Sequence, residues 1–309
     1  MTTQYPHIHR RNATFTGRDV EGDSLDLGAV DLAKAVRHGV LARTVEDLRA
    51  GFSIIAGTRP GDWYPQVSWQ MLQELFNSAD INSAFFDGLK IAVLTESLNV
   101  ETDIHPASFA AVERAKALFR EVEARLLTVP APITHKDWLA FMPIWQAGAA
   151  SIPVSDEEKL TTMSRWLRAK GRELSGKDVI MAQGAVQKIA RTMGQAFEEY
   201  DVVLTPSLGT PPAHPEWVRL PENPEEDFRR QCAVSPWTSS WNIFGPAAIT
   251  VPLHREKIDG ITLPFGIHLA GTRPGQEALL LKMAEYLEKV DPWPHITVPT
   301  KGKGVAPSS

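Results

Sequence analysis

The sequence predicts an α/β fold: a central mixed, largely parallel twisted sheet flanked by helices. Three observations point to it. Short apolar runs of buried-strand length recur along the chain, at Leu89–Leu94, Leu126–Val129, Val202–Thr205, Ala248–Val251 and Leu263–Leu269. Long amphipathic stretches of helical period separate most of them, where an all-β chain would have tight turns. The run at Leu89, the helical pattern from Pro106 and the return at Leu126 read as strand, helix, strand, a connection that places its two strands parallel in one sheet.

The elements follow in order. Residues 1–37 are polar and then acidic, through Asp19, Glu21, Asp23, Asp26 and Asp31, and show no strand signal, so they read as an irregular leader. Thr44 and Asp47 form a helix start signal, Val45, Leu48, Phe52 and Ile55 share one helical face, and Gly57 stops it, which predicts a helix over Val45–Ala56. A Pro/Gly/Asp turn over residues 58–65 leads to a second helical pattern, Val67–Phe76. Pro106 suits the first turn of the helix that runs toward Leu126, where its missing N–H costs nothing. Trp138, Trp145 and Trp166 lie in a helical middle, Lys136–Ala169. A long helix from Ser175 or Asp178 to Glu199 then carries Val179, Ala182, Val186, Ile189, Met193 and Phe197 on one face. Pro274-Gly275 leads a closing helix, Gln276–Val290, and from Thr297 a Gly/Lys/Ser tail is expected to be disordered. No internal repeat divides the chain, so residues 38–295 form one domain and 296–309 a tail.

Composition narrows the function. Of 309 residues, 32 are Lys or Arg and 37 Asp or Glu, for a formal charge of −5, so no basic excess favours a nucleic-acid groove or an anionic membrane. No apolar stretch of about 18 residues occurs, and Met1–Arg11 lack the apolar centre of a secretory signal, which makes the cytoplasm the expected location. A single cysteine, Cys232, suits that reducing compartment and excludes an internal disulfide framework or a cysteine-cluster zinc site. The phosphate-loop, dinucleotide, zincin and nucleophile-elbow motifs are absent. His7 and His9 form an H-x-H pair, but near a chain end with no strand expected around it the pair reads as an ordinary polar terminus. Cys232, with His214 or His254 as a candidate base, sits in what reads as a helix end, where a lone cysteine is usually a small buried apolar group. Asn12-Ala13-Thr14 matches a glycosylation sequon, which carries no weight without a secretory signal. No metal and no cofactor is expected.

A series of phrases stands in fixed order: His38-Gly39-Val40-Leu41-Ala42-Arg43-Thr44-Val45-Glu46-Asp47, Pro60-Gly61-Asp62, Gly88-Leu89-Lys90-Ile91-Ala92-Val93 and Tyr200-Asp201-Val202-Val203-Leu204-Thr205-Pro206-Ser207. Asn242-Ile243-Phe244-Gly245-Pro246-Ala247-Ala248-Ile249-Thr250-Val251-Pro252, Leu263-Pro264-Phe265-Gly266-Ile267-His268-Leu269-Ala270-Gly271 and Gln276-Glu277-Ala278-Leu279-Leu280 complete it. Together, over residues 38–295, they closely resemble the amidase signature family, which hydrolyses carbon–nitrogen bonds of amides. The resemblance implies acyl transfer: a serine attacks the amide carbonyl, backbone N–H groups stabilise the oxyanion, and water releases the acyl group. It also implies a second serine in a cis peptide within a Gly/Ser-rich segment and a lysine as ultimate base. A lysine plays that role only when burial lowers its pKa.

In the family those three residues lie upstream of the Leu41-Ala42-Arg43-Thr44 phrase. No Gly-Gly pair exists in this sequence, the only Ser-Ser pairs are Ser239-Ser240 and Ser308-Ser309, and Lys34 is the sole lysine before Lys90. No catalytic residue is therefore carried over to any position. Two functions remain: the C-terminal portion of an amidase acting on a small-molecule amide once completed, or a non-catalytic remnant or binding module reusing that scaffold. A complementing N-terminal portion or a second copy of the chain is the expected partner. The expected substrate-binding residues are Trp237, Trp241, Asn242 and Gly245, because the loop Pro236–Asn242 runs into a buried strand where open α/β sheets bind ligands. The opposing expectation for the two tryptophans, four residues apart, is a shared packed face in the core.

Overall fold

The computed structural model of the protein describes residues 39–56, 83–212 and 219–294, together with 7–9, 16–18, 24–26, 73–74 and 76–77. Its strands are β1 (His7–His9), β2 (Thr16–Arg18), β3 (Ser24–Asp26), β4 (Gly39–Leu41), β5 (Lys90–Val93), β6 (Arg125–Thr128), β7 (Val202–Pro206), β8 (Ala248–Ile258) and β9 (Ile261–Gly271). The main sheet has the order β4-β1-β8-β9-β7-β5-β6, and β2 and β3 pair separately. The five strands β8-β9-β7-β5-β6 carry the packed centre.

The sheet is mixed, as expected, but parallel pairing is confined to β5 with β6 and β5 with β7. The largely parallel sheet is therefore corrected: β7 with β9, β8 with β9, and β1 with both β4 and β8 run antiparallel. The cause is local. Asp259 and Gly260 have φ of 51° and 81°, and a two-residue connection with both centres left-handed closes a hairpin whose arms must be antiparallel. That hairpin also lengthens both strands well beyond the runs read from apolar content.

The leader departs from expectation too, since three short strands lie within residues 1–37. His7–His9, expected to lie outside any strand, pairs in register with Gly39–Leu41 on one side and Ala248–Thr250 on the other. Three residues are too few to show a period, so nothing local announced it. The pattern at Val67–Phe76 lies almost wholly outside the described residues, as does the tail from residue 295.

The described helices are α1 (Val45–Ile55), α2 (Ser83–Phe86), α3 (Pro106–Glu121), α4 (His135–Leu139), α5 (Met142–Ser151), α6 (Thr162–Arg172), α7 (Gly176–Ala196), α8 (Pro224–Val234), α9 (Thr238–Phe244) and α10 (Glu277–Val290). Their starts follow from side-chain caps. Thr44 accepts from Asp47 N ahead of α1, and Ser175 and Asp178 form a reciprocal capping box ahead of α7. At α3 the cap is His105, whose Nδ1 accepts from Ala107 N. Arg168 of α6, buried, donates to Ala149 O and Ile152 O and pairs with Glu157, so it satisfies carbonyls at the end of α5.

Strand alternation sorts the core into two. One face of the sheet presents Ile91, Val93, Val202, Leu204, Ile249, Val251, Ile267 and Leu269 to α1, α3 and α10. The other presents Ala92, Val203, Ala248 and Ala270 to α7 and α9, with Trp138 and Ile144 from α4 and α5 extending that layer.

Candidate functional site

The second face differs from the first in more than residue size. Following the same two-residue period, Thr205 on β7, His268 on β9 and Thr250 on β8 point to this side, and register places them in one row across the sheet. Thr205 and His268 are fully buried, while Thr250 is half-buried. The Thr205 hydroxyl donates to Pro206 O at 2.8 Å and lies 3.3 Å from His268 Nδ1. With its one proton given to Pro206 O, Thr205 Oγ1 is left as an acceptor for His268 Nδ1 in the tautomer that carries the proton there. The edge of Trp241 stands on the same ring, with centroids 5.4 Å apart.

The row continues one step toward the C-terminal end of β7. Ser207 N donates to Gly266 O, which extends the ladder past Pro206 and sets Ser207 beside the glycine that precedes Ile267 and His268. Ser207 is 3% exposed, and its Oγ has no hydrogen-bond partner among the described residues. The Leu204-Thr205-Pro206-Ser207 and Gly266-Ile267-His268 phrases carry the family resemblance, but none of their polar side chains is among the expected substrate-binding residues. The available signal was polar side chains at alternate positions of otherwise apolar strands, each in a separate segment.

Of the expected substrate-binding residues, Trp237 and Trp241 are 0% and 2% exposed and belong to the second core. Trp237 Nε1 donates to Glu96 O at 2.7 Å, and Trp241 Nε1 to Gly271 O at 3.2 Å. The expected loop Pro236–Asn242 is corrected, since Thr238 onward is α9. Gly245 ends that helix at φ 110°, with its N–H on Trp241 O, which only glycine adopts without strain. Asn242 is half-buried on α9. Beyond β5, Leu98 N and Asn99 N both donate to Pro236 O, which ties that segment to the start of α9. Asn99 Nδ2 reaches Ser239 Oγ at 2.5 Å, and its Oδ1 accepts from Ser240 Oγ.

Burial pushes the Cys232 thiol up to about 12, so it holds its proton at neutral pH, as the end of α8 suggested. Among the described residues no group of three or more His, Cys, Asp or Glu converges as a metal site.

Comparison with known proteins completes the picture. The family model described as Amidase matches residues 31–281. The chain belongs to the amidase family. A fatty acid amide hydrolase of Oryza sativa subsp. indica is 25% identical over 296 residues, covering 90% of this chain and 44% of the relative. A Mycobacterium tuberculosis protein carrying the name amidase AmiC is 28% identical over 276 residues, covering 85% of this chain and 54% of the relative. Among solved structures, 6-aminohexanoate cyclic dimer hydrolase complexed with substrate superposes with a TM-score of 0.75 at 21% identity, covering 94% of this chain and 61% of that one. A bacterial aryl acylamidase of the amidase signature family superposes with a TM-score of 0.63 at 16% identity, covering 94% and 59%. The amidase chain thus spans about half the length of the curated relatives it matches, and at these identities the structural neighbours bear on its fold alone. No helix among the described residues is long and apolar enough to cross a membrane.

Proposed function

We propose that this amidase chain contributes the C-terminal sheet and part of the substrate-binding wall to hydrolysis of a carbon–nitrogen bond in a small neutral amide, in the cytoplasm. In this reading the nucleophile and base come from a separate catalytic portion. The observation that carries this reading is the family match over residues 31–281 in a chain that spans about half its relatives. No position resembles the Ser–cis-Ser–Lys segment, so in this reading the chain binds and shapes while the attacking serine and its base lie on the complementing portion.

The test joins the chain to the catalytic portion of an amidase relative and follows release of ammonia from hexanamide. The joined enzyme is expected to turn over, and the chain alone to show neither turnover nor stoichiometric labelling of one serine by a fluorophosphonate. Labelling of a single serine in the isolated chain would overturn the reading, because nucleophile and base would then be present. An inert joined enzyme would favour a non-catalytic binding module on the amidase scaffold.

A further inference from the structure

We propose that Ser207 is the hydrogen-bonding group that holds an uncharged amide against the polar row of the sheet; this rests on the amide-hydrolysing reading and names the contact this chain makes. Ser207 is 3% exposed and its hydroxyl lacks a partner among the described residues, whereas Thr205 beside it is satisfied by Pro206 O and His268 Nδ1. A buried hydroxyl without a partner costs free energy, and a ligand that supplies a carbonyl or an N–H recovers it. The neighbourhood selects the charge of that ligand. Among the described residues, the row itself (Thr205, Thr250, His268, Gly266 and Trp241) contains no Lys or Arg to offset a buried carboxylate, which favours a neutral amide over its carboxylic acid product. A hydroxyl can donate to an amide carbonyl or accept from its N–H, so one serine suits either face of the group.

A single water is the competing occupant of such a site. The two are separated by titrating the wild-type chain and Ser207→Ala with hexanamide and with hexanoate, followed by NMR. Hexanamide is expected to bind the wild type, and to bind Ser207→Ala about fivefold to tenfold more weakly, the loss of one net hydrogen bond. Hexanoate is expected to bind the wild type at least about tenfold more weakly than hexanamide, since a buried charge would stay unpaired. Should Ser207→Ala fold poorly, Ser207→Cys keeps the shape with a weak donor and is expected to lose affinity in the same direction. Equal affinity for wild type and variant, absence of hexanamide binding, or equal binding of hexanoate would each overturn the proposal. If any of these is found while the joined enzyme still hydrolyses hexanamide, amide hydrolysis stands and only the role of Ser207 falls. Hexanamide binding that depends on Ser207 in an inert joined enzyme removes hydrolysis instead.

Discussion

Trp237 shows how one residue sits between two roles. Its indole is fully buried and its N–H is held by Glu96 O, so truncation opens a cavity and breaks a hydrogen bond together. Trp237→Ala is expected to cost about 3–5 kcal/mol of unfolding free energy, measured by urea denaturation. A stable variant with altered amide preference in the joined enzyme would instead restore the tryptophan to a pocket wall. Cys232 gives a second residue-level expectation. Its thiol is raised from 9.0 to about 12 by burial, so at pH 8 the native protein holds roughly one thiolate in ten thousand and should react with a disulfide reagent far more slowly than the unfolded chain. The linkage has a definite sign: above about pH 9 the unfolded thiol loses its proton first, so this group lowers stability as pH rises toward 12. Rapid stoichiometric labelling of the native chain would contradict both statements.

At the scale of elements, helix starts were legible because capping is a local matter of three residues. Thr44 with Asp47, and Ser175 with Asp178, stand in the sequence as they stand in the structure. Strand pairing was less so. Asp259-Gly260 is a local hairpin signal, yet the polar row of Thr205, His268 and Thr250 arises only from register between segments more than forty residues apart, except within the hairpin itself. The buried indoles were equally ambiguous, because an i, i+4 pair serves a core face and a pocket wall alike. The caps and pairs also predict acid behaviour. Hydrogen bonds from Thr134 and Ser175 hold the Asp137 and Asp178 carboxyls below their usual range, those from Arg172 and then Arg168 do the same for Glu157, and Arg229 brings Glu226 down to about 2. Each folded-state value is depressed, so the contribution is complete above the unfolded carboxylate range and lost as pH falls through the folded one. Stability should therefore decline between about pH 4.5 and 2, and denaturant midpoints that stay level across that window would contradict it.

For the whole molecule, the sheet ends in β4 on one side and β6 on the other, each paired with a single described neighbour. Leu41 on β4 is 66% exposed and Leu127 on β6 is 44% exposed, so both edges combine apolar surface with backbone groups that no other described strand pairs. The isolated chain is expected to self-associate at tens of micromolar and to take up an apolar dye, and Leu41→Lys with Leu127→Lys should reduce both in size-exclusion and fluorescence measurements. A dye-silent wild-type monomer would mean that the edges are covered by the chain itself. The position of β1 also bears on how the molecule is made. His7–His9 and Gly39–Leu41 leave the ribosome well before the strand that joins them to the main sheet, which begins at Ala248. At about 5–20 residues per second, the earlier pair waits on the order of 10–50 s for its partner. Throughout that interval β1 and β4 have, among the described strands, only each other as partners, so they join the main sheet after β5, β6 and β7 have been made.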